Sequence, residues 1–184
     1  MLQKNLVRKK YYLSRKKKYY KINKFFFNPL LDLIKSKFRN KKIKLALYYP
    51  SLFELNVMKC LEIKYISNQS ILLPKIQEND LMNFFSWNKS EVLIVNKFGI
   101  LEPVKSKINI PNVMLVPLLV FDKKKYRLGY GKGFYDRYLN KNLKKFKKIL
   151  TIGVAFSFQK YHKLPINNKD VKLNYILTEK GIYK

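Results

Sequence analysis

VMLVPLLVFDKKKYRLGYGKGFYDRYL, from Val113 to Leu139, holds three patterns in succession. Val113 to Phe121 is apolar without a break, as a strand covered on both faces of a sheet is. Pro117 has no N–H for a ladder, so a bulge or strand end is expected there. A turn-rich segment follows, and an amphipathic helix is predicted from about Lys132 to Leu143. Downstream, Ile149 to Phe156 reads as a second buried strand and Tyr175 to Thr178 as the last. Upstream, Leu81 to Trp87 alternates like a strand, and Ile71 to Leu73 is a short strand stopped by Pro74. Asn56 to Glu62 is helical, with Val57, Met58 and Leu61 in phase, and Ile43 to Tyr49 is a strand ending at Pro50. The first 40 residues predict two helices, about Leu2 to Tyr20 and Phe25 to Arg39. The second carries an apolar stripe at Phe26, Leu30, Leu33 and Ile34. Strands alternating with helices predict a three-layer α/β/α domain with a largely parallel, mixed sheet of Rossmann-like type. The expected organisation is one domain over residues 1–184, with the basic helices of residues 1–40 packed on it. Strand order does not follow from this reading.

Composition narrows the class further. The chain has 184 residues, enough for one full core, and 47% are hydrophobic. No apolar run approaches the ~20 residues of a membrane span. The basic N-terminus has no signal-type apolar stretch, because Lys9, Lys10 and Lys16 to Lys18 interrupt it. The one cysteine, Cys60, excludes an internal disulfide, and the one histidine, His162, excludes a His pair for a metal. A cytoplasmic protein is expected.

The formal charge of +29 points at first to nucleic acid. The excess is lysine, however: 35 lysines against 5 arginines, with 17 asparagines and 2 alanines. That is the residue usage of an A+T-rich coding sequence, whereas a selected phosphate-reading surface favours the arginine fork. Compositional drift is therefore the simpler account, and the runs at Lys16 to Lys18, Lys123 to Lys125 and Lys144 to Lys148 are expected to be solvated.

Of the six glycines, Gly129, Gly131 and Gly133 fall together at the mouth of the predicted helix. Glycines let backbone approach a ligand, and a helix N-terminus presents free N–H groups to phosphate. Lys132 adds a cation, and Asp136 is placed to hold Mg²⁺ on the same phosphates. The plainer reading is a glycine turn with a Lys132–Asp136 i,i+4 pair. The spacing fits neither the Rossmann fingerprint nor a P-loop.

The segment resembles the signature of the 5-formyltetrahydrofolate cyclo-ligase family. VPLLVFDKKKYRLGYGKGFYD (Val116 to Asp136) matches it, except that Leu118 stands where the family usually has glycine. KNLVR (Lys4 to Arg8), ALYYPSLFE (Ala46 to Glu54), FGILEP (Phe98 to Pro103) and KDVKLNYILTE (Lys169 to Glu179) follow the family in order. The resemblance implies ATP- and Mg²⁺-dependent closure of 5-formyltetrahydrofolate, polyglutamylated forms included, to 5,10-methenyltetrahydrofolate. It implies ATP contacts at Lys4, Asn5, Leu6, Val7 and Arg8. Further contacts fall at Arg127, Leu128, Gly129, Tyr130, Gly131, Lys132, Gly133, Phe134 and Tyr135, with Arg127 and Lys132 catalytic. It places folate at Tyr49, Glu54, Gly131, Gly133 and Tyr135, and metal at Asp136 and Asp170. Phe85 and Trp87 lie where relatives carry aromatics near the folate, although a sheet aromatic explains them equally well. Asn174 replaces a common aspartate, while Cys60 and His162 match no functional position. A monomer without a specific nucleic-acid or membrane partner is expected. A basic nucleic-acid-binding protein and a folate binder without turnover are the alternatives.

Overall fold

The computed structural model describes residues 2–39, 41–77, 80–104, 107–145 and 149–184; the side chains of the Lys144 to Lys148 run lie outside what is described. In chain order the elements begin with α1 (Leu2–Lys18), a 3-10 turn (Lys24–Phe27), α2 (Asn28–Phe38) and β1 (Lys44–Ala46). A second 3-10 turn (Val57–Glu62), α3 (Lys64–Ser67), β2 (Ser70–Ile76) and β3 (Met82–Ser86) follow. Next come β4 (Leu93–Val95), β5 (Leu101–Pro103), β6 (Val113–Pro117), β7 (Val120–Asp122) and β8 (Arg127–Leu128). The chain closes with α4 (Phe134–Lys145), β9 (Leu150–Val154), β10 (Lys160–Tyr161), β11 (Tyr175–Thr178) and β12 (Gly181–Tyr183).

Seven strands form the main sheet in the order β12-β11-β9-β6-β1-β2-β3. The five inner strands are parallel, and β12 and β3 close the edges antiparallel. β6 is apolar throughout because both its faces are covered. Val113 and Leu115 face a core with Leu30 and Ile34 of α2, whereas Met114 and Val116 face one with Tyr138 and Leu139 of α4. Helices on both sides of a mostly parallel sheet give the expected three layers.

β6 ends at Pro117, and the apolar run then crosses into a small sheet, β10-β7-β8. Pro74, by contrast, does not stop β2, which runs on to Ile76. The register with β1 ends at Leu72, so at Pro74 the strand has β3 as its one sheet neighbour. A missing N–H is tolerated where one side of the strand is unpaired. The Lys16 to Lys18 side chains are exposed, as expected.

Counted along the chain, the parallel strands β1, β2, β6, β9 and β11 lie in the order 2-1-3-4-5, the flavodoxin-like doubly wound arrangement. The order reverses between β1 and β6, and ligands of such sheets bind in the crevice beyond the carboxyl ends at that point. The loop after β1 carries Tyr49 to Glu54, and the chain leaving β6 leads through β7 and β8 to the glycine loop. Asp122 fixes that path by accepting the N–H groups of Lys124, Tyr126 and Leu164. Val7 of α1 packs with Leu119, Val120, Leu128 and Leu164, which holds the N-terminal helix against the small sheet.

Leu118 keeps an ordinary negative φ and is 2% exposed. Its side chain fits because residue 153 is glycine: a Cβ there would meet Leu118 Cδ2 and Ile176 Cδ1 at 2.7 Å. Gly153→Ala is therefore expected to destabilise by about 1–3 kcal/mol through overpacking. At ~2–4 °C per kcal/mol for a chain of this size, calorimetry should show a loss of several degrees. Adding Leu118→Ala should return part of it, and strict additivity of the two changes would contradict this packing.

Candidate active site

The glycine loop joins β8 to α4. Gly131 (φ 104°) and Gly133 (φ 69°) occupy left-handed backbone that side chains disfavour. None of the backbone N–H groups from Gly131 to Asp136 has an acceptor among the described residues. The loop and the first turn of α4 thus present a row of open donors with the positive end of a helix dipole.

α1 closes over this loop. Arg8 Nε donates to the Gly129 carbonyl at 2.9 Å and Nη1 to Asn5 Oδ1 at 2.8 Å. One turn earlier, Lys4 Nζ meets Asp170 Oδ2 at 2.5 Å. Arg8 therefore reaches the loop, with Asn5 on its guanidinium and Lys4 on Asp170, while Val7 anchors the helix in the core and Leu6 points to solvent at 62% exposed. Leu128 is likewise core. Phe134 packs edge-on against Phe98 at the β4–β5 turn, and Lys132 Nζ lies 5.7 Å from the same ring.

Lys132 and Asp136 form no ion pair among the described residues, so the i,i+4 alternative is set aside. Asp136 Oδ1 instead meets Arg127 Nη2 at 3.0 Å and accepts the Val171 N–H at 3.1 Å. Arg127 is buried, gives Nη1 to the Val171 carbonyl, and so holds Asp136 beside the segment that carries Asp170. Desolvation lowers the Arg127 pKa from its ordinary value, and Asp136 opposes that shift. Asp170 Oδ2 also accepts the Asn167 N–H at 2.7 Å. Each carboxylate thus keeps one oxygen, Asp136 Oδ2 and Asp170 Oδ1, without a hydrogen-bond partner among the described residues. Two carboxylate oxygens beside the glycine loop suit Mg²⁺, which takes one or two carboxylates and completes its octahedron with other oxygens and water.

Across the crevice lies the loop after β1. A cleft of about 230 Å³ is lined by Tyr19, Pro50, Ser51, Leu52, Phe53, Glu54 and Asn56. Ser51 to Glu54 is a tight turn closed by Glu54 N to Ser51 O at 2.8 Å. Its central residues, Leu52 (φ 46°) and Phe53 (φ 64°), are both left-handed, as in a type I′ turn that normally takes Asn-Gly. Such strain persists only where the surroundings hold it.

Glu54 is 8% exposed, and its Oε2 accepts from Ser51 N at 3.0 Å and Ser51 Oγ at 3.3 Å. Oε1 has no partner among the described residues. Burial raises the Glu54 pKa above the ordinary 4.5, while Ser51 and Arg15 pull it back. Tyr135 is half-buried, with its hydroxyl buried and unpartnered among the described residues, and desolvation and then Glu54 raise its pKa well above the usual phenol. The phenol of Tyr130 is pushed up to about 12 by burial and then by Glu54. Tyr49 is half-buried on the same loop.

Phe85 and Trp87 lie elsewhere. Trp87 N donates to Ile71 O, at the amino end of the parallel strands, and its indole donates to Glu91 O. Because β3 runs antiparallel, its Trp87 end is opposite the crevice, and the sheet-aromatic account applies to both residues. Asn174 works as an acceptor, its Oδ1 taking Thr151 N and Oγ1 at 2.8 and 2.9 Å. A carboxamide meets that need without a charge. Cys60 is core, with burial pushing its thiol up to about 12, and His162 sits exposed against Tyr161.

Sequence reasoning missed Arg15, which is 2% exposed at the heart of this crevice. The signal was in the composition. Of five arginines in a chain that otherwise uses lysine, Arg8, Arg15, Arg127 and Arg137 all bond the glycine loop or the aspartate behind it. The fourth donates to the Lys132 carbonyl at 2.7 Å.

Open amides at a helix mouth, two carboxylates behind them and a buried glutamate opposite thus meet at the switch point of a doubly wound α/β enzyme. The 5-formyltetrahydrofolate cyclo-ligase family model matches residues 31–179. The chain belongs to that family. The 5-formyltetrahydrofolate cyclo-ligase of Haemophilus influenzae is 32% identical over 143 residues, 72% of this chain and 74% of the relative. Among solved structures, the 5,10-methenyltetrahydrofolate synthetase of Aquifex aeolicus superposes with a TM-score of 0.76 at 30% identity, covering 100% of this chain and 93% of its own. That of Mycoplasma pneumoniae gives 0.68 at 27% identity, covering 95% and 97%.

Proposed function

We propose that this protein closes 5-formyltetrahydrofolate to 5,10-methenyltetrahydrofolate with conversion of ATP to ADP and phosphate. The observation that carries the ATP half is the row of open N–H groups from Gly131 to Asp136. The formyl oxygen attacks the γ-phosphate and ADP leaves, which turns a poor leaving oxygen into a phosphate ester. The neighbouring anilino nitrogen then attacks the formyl carbon, gives up its proton, and phosphate departs. Charge accumulates on phosphate oxygens throughout, so oriented donors and cations suffice and no nucleophilic side chain is required. The amides of the loop bind those oxygens, Arg8 holds the loop in place from α1, and Lys132 adds a mobile cation. Arg127 fixes Asp136 in position.

Asp136 and Asp170 would hold Mg²⁺ through their unpartnered oxygens, and the ion when bound supplies positive charge to the transferring phosphate. Lys4, on Asp170, is then a cation shared between carboxylate and phosphate. Glu54 accepts hydrogen bonds from the amino-pyrimidinone edge of the pterin and so orients it toward the loop.

Growth of the methenyl absorbance band on mixing protein, 5-formyltetrahydrofolate, ATP and Mg²⁺ tests the reading; no growth in any order of addition would refute it. A pH dependence follows from Glu54. Only the ionised carboxylate is a charged acceptor for the pterin edge, and its raised pKa brings protonation in above the usual 4.5. The folate KM is therefore expected to rise as pH falls toward that window, while Glu54→Gln gives a flat profile there. An identical profile in both proteins would assign the titration elsewhere.

A further inference from the structure

Arg15 takes no part in the scheme above, yet it is among the largest side chains the fold buries completely. Its Nη1 donates to the Leu118 carbonyl at 3.1 Å, and its Nη2 to the Leu52 carbonyl at 2.9 Å and to the Tyr130 hydroxyl. These acceptors belong to three segments: the chain leaving β6 at the switch point, the strained Ser51–Glu54 turn, and the glycine loop. Among the described residues no other side chain hydrogen-bonds both the turn and the loop. The guanidinium also lies over the Tyr130 ring, 5.5 Å from its centroid.

We propose that Arg15 is a positioning residue that couples the two substrate sites, holding the folate turn and the nucleotide loop in one mutual geometry through Leu52 and Tyr130. The assignment rests on the function proposed above. Three observations support it. The turn needs an outside hold, because Leu and Phe at left-handed φ do not favour it themselves. Tyr130 is 42% exposed on a loop that adds little to the core, so bonding it serves the site rather than stability. One planar fork reaches three acceptors in fixed directions, which a lysine amine on a flexible stem does not reproduce. Arg15 Nε is buried without a partner and no carboxylate forms an ion pair with the guanidinium among the described residues, although Arg15 acts on Glu54 through space. A ligand that orders the glycine loop thereby orders the turn, and the effect is reciprocal by linkage.

Calorimetric titration decides this. 5-Formyltetrahydrofolate is titrated with and without a non-transferable ATP analogue plus Mg²⁺, and the analogue with and without folate. In the wild type each ligand is expected to tighten the other by about tenfold, within the usual range for coupled sites. Arg15→Lys keeps the charge and leaves each ligand binding alone, whereas Tyr130→Phe, made in the nucleotide loop itself, is expected to weaken the analogue alone; both are expected to bring the coupling factor, a ratio of affinities within one variant, close to one. A purely structural arginine would lower the melting temperature and leave the factor untouched. A wild-type-like factor in either folded variant overturns the proposal, as does a wild-type factor of one when both ligands bind. Abolished binding of a single ligand also overturns it, by making Arg15 a direct contact. Should Arg15→Lys fail to fold by circular dichroism, Tyr130→Phe, altered at an exposed ring, decides alone. If the wild type binds neither ligand, the function proposed above is what fails.

Discussion

Asp136→Asn is expected to lower turnover by roughly 10²-fold or more, with excess Mg²⁺ returning part of the loss. Asparagine keeps the size of the side chain and an oxygen for the Val171 N–H, so the local backbone stays in place. What disappears is a negative charge that faces Arg127 and, in the proposed function, the metal. Mg²⁺ prefers anionic oxygen and binds more weakly to a carboxamide, so charge developing on the γ-phosphate is less well neutralised. The change also leaves the buried Arg127 guanidinium without its counter-charge. Removing one partner of a fully buried pair costs about 3–5 kcal/mol, and the 27% exposure of the Asp136 side chain places this one near 1–3. Lowered stability and lowered turnover thus arrive together, and Mg²⁺ separates them. Metal restores catalysis only if Asp136 holds it, and does nothing for an orphaned arginine.

Lys132→Gly is the matched control. Its ammonium is exposed over the Phe98 ring and makes no ion pair among the described residues, and the loop amides survive the change. About a tenfold loss or less is expected, chiefly in the KM for ATP. Steady-state kinetics of both variants against Mg²⁺ concentration is the measurement. Near-normal turnover of Asp136→Asn at limiting Mg²⁺ would remove the metal assignment.

Glu54→Gln is expected to raise the folate KM roughly 10- to 150-fold, the loss of one charge-assisted hydrogen bond worth about 1.5–3 kcal/mol, with little change in the KM for ATP. Stability should move the other way. Burial raises the folded-state pKa of Glu54, so its contribution is full below the unfolded value and is lost as pH rises through the folded one. At neutral pH the enzyme holds a buried, desolvated carboxylate against that tendency. Glutamine removes the charge and keeps an acceptor for Ser51, so thermal melts at neutral pH should show equal or greater stability than wild type. A variant that loses stability while keeping its folate KM would make Glu54 a structural residue of the turn.

The two substitutions divide along a line visible in the sequence itself. VMLVPLLVF announced a strand covered on both faces, and Pro117 its end, because unbroken apolarity and a missing N–H are properties of the residues alone. The glycine spacing after Arg127 likewise announced backbone that side chains disfavour, and Gly131 and Gly133 are left-handed. Pro74 misled for the opposite reason: whether a missing N–H matters depends on whether a neighbouring strand sits on that side, which is a property of the sheet. Trp87 was ambiguous in the same way, since the direction of β3 decides which end of the sheet it reaches.

The sequence alone therefore determined the layered α/β class and the residue types of the glycine loop, because periodicity, proline and glycine act within a few residues of themselves. The tertiary structure alone decided the 2-1-3-4-5 strand order, the pairing of Asp136 with Arg127 instead of Lys132, and the burial of Arg15 among Leu52, Leu118 and Tyr130. Those contacts join residues 9 to 115 positions apart, and which of forty basic side chains becomes desolvated depends on how the loops meet beyond β1 and β6.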